Sequence, residues 1–390
     1  MVVDARAAAV LTAGLTILGA VACGTGTEPA GPFPEISGRI HPVGGGSPSG
    51  LWAFWEPDDG APPDSAVVEA DGSFTIETTR SSATGLLRID GRTPRAHHPI
   101  VVPYDTADGP AELLAVPRAW TIGSGAFAGE VVPTPLDPVV DDEVRDMLYS
   151  YLWGQQDPFD APVRYLIEPK AWPLEHLPAR VAFDHANAEI ATDAADSAAV
   201  WELLDEIEGL VGLDLFEPAD SGFAWWPAGT AEEHSVAPGR IRVLRLAGRW
   251  RGQPLSAAAP WSREGDFGAL AEGERFSRFL ERHRRLDAGL LIFPELAPLR
   301  LADGEHPWQT VVTHELLHVL GAGHTYRIPS PMGPRMRTPR PSAEDVAYLE
   351  LSRALVEAAF AIDPTHGIVP SIAGERRILL GDTWLPRLGG

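Results

Sequence analysis

The sequence predicts an α+β chain, with a small β-rich module first and a sheet backed by helices after it. Three observations carry this. Between residues 35 and 104, short alternating runs are separated by turn residues such as Asp71-Gly72 and Asp90-Gly91. From 193 to 211 apolar residues recur at helical spacing, and Gly212 stops them. A second apolar helical run, 308–320, follows several strand-like segments.

Composition narrows the partners. The 390 residues carry a net charge of −23. So acidic a chain lacks the basic patches that nucleic acid or an anionic lipid surface requires. A hydrophobic fraction of 44% supplies ordinary cores. With Cys23 as the one cysteine, no intrachain disulfide is possible and stability must come from packing.

Residues 7–22 form an uncharged, mostly apolar run behind Arg6. It is shorter than the ~20 residues of a membrane-spanning helix and fits a secretory signal. Ala20-Val21-Ala22-Cys23 resembles a bacterial lipobox. That resemblance implies that the signal segment, 1–23 with its lipobox-like end, is cleaved before Cys23, which then carries lipid. Export to the cell envelope follows, with membrane contact only through the anchor at Cys23; a plain signal peptide, with an extracellular product, is the alternative. Residues 24–34, rich in Gly, Thr, Pro and Ala, read as a flexible tether.

Residues 35–118 read as an antiparallel β-sandwich, with strands near 36–43, 51–55, 66–70, 73–78, 86–89 and 100–102. Gly38-Arg39-Ile40 and Asp71-Gly72-Ser73-Phe74-Thr75-Ile76 are similar to the carboxypeptidase-regulatory or transthyretin-like sandwich. His97 and His98 would point apart on a strand, which makes them two surface histidines and not a shared metal site. Residues 119–159 read as a proline-rich linker with a short helix near 140–153.

Residues 160–390 form the second domain. A strand is expected at 180–183, a helix at 193–211, and strands at 213–216, 240–246 and 289–293. Loops at 218–238, with Trp225-Trp226, and at 254–267 interrupt them, and 275–286 reads as a basic, solvated helix face. Ser342 with Asp345 fits a capping box ahead of a helix whose inner face is Val346, Leu349, Leu355 and Phe360.

The chemistry concentrates between 308 and 336. His314 and His318 are one helical turn apart on one face, with Glu315 between them. Two imidazoles at that spacing can share a zinc ion, and the glutamate is placed to serve as general base. Gly321 falls where a helix closes in a left-handed residue, so the chain can return His324 as a third ligand. Three protein ligands leave one tetrahedral position for water, as in a catalytic zinc site. Met332 follows in Ser330-Pro331-Met332-Gly333-Pro334.

His-Glu-x-x-His-x-x-Gly-x-x-His followed by a methionine turn is the metzincin signature, and the spacing to Met332 resembles the matrixin branch. The resemblance implies a twisted sheet backed by two helices, one catalytic Zn2+ and a protein or peptide substrate. It also implies that Met332 forms an apolar floor under the histidines. A latency cysteine of the matrixin kind is missing, since Cys23 is the only thiol. The expected function is a secreted, lipid-anchored zinc endopeptidase. The competing reading is a surface binding protein with a non-catalytic zinc site.

Overall fold

A computed structural model of the chain describes residues 35–79, 82–91, 96–134, 169–185, 194–219, 239–245, 249–250, 253–254, 284–293, 308–322, 330–332, 338 and 340–370. All of them fall within one compact unit, Pro34–Gly390. The expected signal and tether, Cys23, the helix near 140–153, Trp225-Trp226 and His324 lie outside the described residues.

Period-two alternation builds the first module. Its strands are β1 (Glu35–Pro42), β2 (Leu51–Pro57), β3 (Asp64–Val67), β4 (Ser73–Glu77), β5 (Thr84–Gly91), β6 (Ile100–Asp105) and β7 (Ala111–Ala115). One sheet has the order β4-β1-β7, the other β3-β2-β5-β6. Ile36, Ile40, Phe74, Ile76 and Leu113 of the first sheet share a core with Trp55, Leu87, Ile89 and Ile100 of the second. On the opposite face of β2 and β5, Arg88 lies 4.1 Å over the Phe54 ring and donates to Glu56 at 3.1 Å.

The expected strands all form, but β3 starts two residues early. The module is also not wholly antiparallel, because β7 pairs parallel with β1. The chain leaves β6 in one sheet and crosses to the other, so β7 runs in the same direction as β1.

His97 and His98 are not surface residues, being 7% and 3% exposed. Their segment is pinned to the next one by bonds from His98 N to Val116 O and from Arg118 N to Ala96 O. Thr134 Oγ1 gives its hydrogen to Pro117 O, so it accepts from His98 Nε2 at 3.0 Å. Burial, helped by the neighbouring His98, lowers the pKa of His97. The start of the expected linker is a hairpin of β8 (Ala119–Thr121) and β9 (Val131–Pro133).

The second half contains β10 (Lys170–Ala171), β11 (Ala179–Phe183), helix α1 (Ala194–Val211), β12 (Phe216–Pro218), β13 (Arg240–Arg245), the two-residue strands β14 (Arg249–Trp250), β15 (Gln253–Pro254) and β16 (Arg284–Arg285), then β17 (Ala288–Phe293), α2 (Trp308–Val319) and α3 (Ala343–Ile362). Four strands form a sheet in the order β12-β11-β13-β17, with every pairing parallel. Parallel neighbours need a crossover, which α1 provides between β11 and β12. Arg284 and Arg285, expected in a basic helix face, instead pair with β10.

A fully buried ion pair joins the two central strands. Arg242 Nε donates to Asp184 Oδ2 at 2.8 Å, Nη2 bonds the same oxygen, and neither side chain is exposed. Helix α2 lies against β17. Gly289 makes room for it, since a Cβ there would stand 2.6 Å from Val319 Cγ1.

Helix α3 is covered on several sides. It touches the turn Val43–Gly45, β7, β8 and β9 of the first half and β10 of the second. The chain beyond it returns to the sandwich, where Leu114 N donates to Pro370 O. Among the described residues, no helix is long and apolar enough to cross a membrane.

Candidate metal centre

Helix α2 begins at Trp308, directly after Pro307. Its end is closed by paired backbone bonds: Ala322 N donates to Leu317 O at 2.8 Å and Gly321 N to His318 O at 2.9 Å. Gly321 takes φ +103°, and a Cβ there would meet Lys170 O at 2.2 Å. Only glycine satisfies both the left-handed backbone and that approach. Trp172 adds a further tie, donating its indole N–H to Val319 O at 2.7 Å.

The closed helix presents His314 and His318 together. Their ring centroids are 4.6 Å apart at an interplanar angle of 86°. Each ring is held from behind by a backbone carbonyl, His314 Nδ1 by Pro331 O and His318 Nδ1 by Ala322 O, both at 2.7 Å. A carbonyl oxygen only accepts, so both Nδ1 atoms carry the hydrogen. In the neutral rings this leaves a lone pair on each Nε2, and the two Nε2 atoms face each other at 3.1 Å.

Two converging lone pairs repel unless an electrophile sits between them. Ligands at the usual Zn–N distance of about 2.0–2.1 Å and a tetrahedral angle stand about 3.3 Å apart, close to the observed separation. Burial lowers the pKa of His314 to about 4, against the opposing bond to Pro331, so at neutral pH the ring is in the form that binds a metal. The donor set thus fits a zinc ion. Bonds of this kind, from the far ring nitrogen to a carbonyl, fix the tautomer and the ring direction.

Glu315 keeps a different environment. From 310 to 322 it is the one residue with a described side chain that is not buried. His314 and His318 are 6% and 8% exposed. The Glu315 carboxylate, next in sequence to His314, therefore retains a path to solvent.

Met332 is 1% exposed, in a turn held at both ends. Met332 N donates to Ser330 Oγ at 2.9 Å, and Ser330 Oγ donates to Asp345 Oδ1 at 2.6 Å. Asp345 also closes the capping box of α3, its Oδ2 accepting from Ser342 N and Ser342 Oγ, both at 2.8 Å. Burial raises the Asp345 pKa, and the bonds from Ser330 and Ser342 oppose that shift. The cap of α3, the methionine turn and His314 therefore form one hydrogen-bonded chain.

Of the expected site residues, His314, Glu315, His318 and Met332 are described, and the two histidines converge. Among the described residues no group of three His, Cys, Asp or Glu side chains comes together, and His324 lies outside them. Sequence reasoning missed the carbonyls of Pro331 and Ala322 that hold the two rings, Trp172, and the bond from Ser330 to Asp345. The capping box was the one available signal for the last of these. No protein-family model matches this chain, and no curated protein or solved structure matches it.

Proposed function

We propose that the chain is an exported, lipid-anchored zinc-dependent endopeptidase. The observation that carries the reading is the pair of Nε2 atoms, 3.1 Å apart with both rings oriented through Nδ1. Built this way, the pair is a bidentate ligand for one cation. His314 and His318 would hold the metal through Nε2, and the signature spacing would supply His324 as the third ligand. A zinc ion there supplies Lewis acidity, acidifying water and polarising a carbonyl.

The chain's own residues do the rest. Glu315 takes a proton from the attacking water at its carboxylate and delivers it to the amine nitrogen that leaves. Its partial exposure lets substrate and water reach it. Both rings are buried, as are Val312, Leu316 and Met332 of the same two segments. That low-polarity surround strengthens the interactions made inside it.

The decisive experiment compares Glu315→Gln with wild type for metal content and for cleavage of casein. The variant is expected to retain about one zinc per chain and to lose at least about 100-fold in turnover, in line with the removal of a general base. Chelator is expected to silence the wild type. Retained cleavage in the variant would refute the role of Glu315. A wild type that binds zinc and cleaves no protein would favour a structural metal.

A further inference from the structure

Glu350, in the second turn of α3, is only 6% exposed. Its partners among the described residues are neutral donors of the β8–β9 hairpin. Oε2 accepts from Trp120 Nε1 at 2.8 Å and from Gly123 N at 3.0 Å. Oε1 lies 3.2 Å from Gly123 N and 3.3 Å from Ser124 Oγ.

The hairpin tip reaches α1 as well. Ser124 Oγ donates to Val211 O at 2.7 Å. Gly125 takes φ +75° and approaches the end of α1 so closely that a Cβ would stand 2.0 Å from Leu210 O. The Trp120 ring packs on the sandwich turn, where a Cβ on Gly44 would touch it at 2.7 Å. The hairpin is thus wedged between the sandwich and both helices.

Holding a buried carboxylate with neutral donors costs desolvation that an apolar contact would avoid. What the carboxylate adds is direction: two donors, Trp120 Nε1 and Gly123 N, fix both the rotation and the axial position of α3. Five residues back along the helix, about 7.5 Å, stands Asp345. From there the chain of bonds runs to Ser330 Oγ, then to the Met332 turn, whose Pro331 carbonyl receives His314 Nδ1.

We propose that Glu350 is a positioning residue for the metal centre. It locks α3 to the hairpin, so that the 330–332 turn presents the Pro331 carbonyl to His314. The sandwich then belongs to the framework of the site and is not a detachable binding module. This inference rests on the zinc reading of His314 and His318.

The test measures zinc affinity of the full chain by competition with a chromophoric chelator, and the visible absorption of the cobalt-substituted protein. Glu350→Met keeps the length of the side chain and removes the acceptor of the Trp120 and Gly123 N–H groups. It is expected to weaken zinc binding about 10-fold or more, as loss of outer-shell support does, and to change the cobalt spectrum. Trp120→Phe, which removes one donor and keeps the bulk, is expected to shift both in the same direction by less. Arg39→Ala, which breaks an exposed pair with Asp71 on β1, is expected to change neither.

If Glu350→Met and Trp120→Phe lower thermal stability but keep wild-type zinc affinity and cobalt spectrum, Glu350 is a structural latch only and the proposal fails. If Glu350→Met does not fold, Trp120→Phe decides, and unchanged affinity there overturns the proposal. A wild type that takes up no zinc instead sinks the reading of His314 and His318, before any variant is compared.

Discussion

Replacing Asp184 with Leu would remove the carboxylate that the buried Arg242 guanidinium bonds inside the parallel sheet. Both side chains are fully buried, and two guanidinium nitrogens bond one carboxylate oxygen. Breaking such a pair from one side costs about 3–5 kcal/mol, because the remaining charge stays desolvated. Total stability of a folded chain is only about 5–15 kcal/mol, so this is a large share. With a urea slope of about 3 kcal/mol/M, the unfolding midpoint falls by about 1–1.7 M. The matching double variant, Asp184→Leu with Arg242→Met, removes both charges and fills similar volume. It is expected to recover most of the loss, a coupling well above the additivity of separate sites. Equilibrium urea unfolding of the wild type, the two single variants and the double variant closes the cycle. A single-variant loss under about 1 kcal/mol, or a double variant no better than the sum of the singles, would refute the burial argument.

Gly321→Ala places a side chain on a left-handed backbone and against Lys170 O. The conformational term alone is about 1–2 kcal/mol, and the contact adds to it, so a loss of at least about 2 kcal/mol in chemical denaturation is expected. An unchanged midpoint would contradict the close approach. His97 yields a pH prediction. Its folded-state pKa lies below 6.5 because burial, then His98, opposes the charged ring. The unfolded chain therefore binds protons first as pH falls, and stability is lost from about pH 6.5 downward. His97→Gln should flatten the acid limb between pH 7 and pH 5 relative to wild type, as read from urea midpoints at each pH. Parallel limbs would show that His97 titrates normally.

Local patterns carried the first-order plan because they report local physics. The two-residue alternation located β1, β2 and β4 to β6, and the helical spacing located α1. The motif residues on α2, the left-handed Gly321 and the capping box of Ser342 with Asp345 were also legible. Each depends on neighbours within a turn or a strand pair. The parallel pairing of β7 with β1 was not legible, because it depends on which sheet the chain enters after β6. Nor was the burial of His97 and His98, which are covered by a later segment through the bridge from His97 to Pro117.

Helix α3 shows most clearly why the rest was hidden. Read alone, it has one apolar face and a scatter of acids. In the fold Asp345 and Glu350 are 4% and 6% exposed, as buried as many of their apolar neighbours. Their partners lie at very different distances along the chain, fifteen residues away for Ser330 and 230 for Trp120. A carboxylate inside a helix ordinarily marks a solvated face, since burying it without partners is costly. Here the partners exist, but only once two remote segments have closed on opposite sides of the helix. Periodicity cannot encode that, because it averages over neighbours and not over the contacts that folding creates. The same helix that caps the methionine turn therefore also receives the sandwich. Its two buried acids hold the turn bonded to His314 at one point and the β8–β9 hairpin at the other.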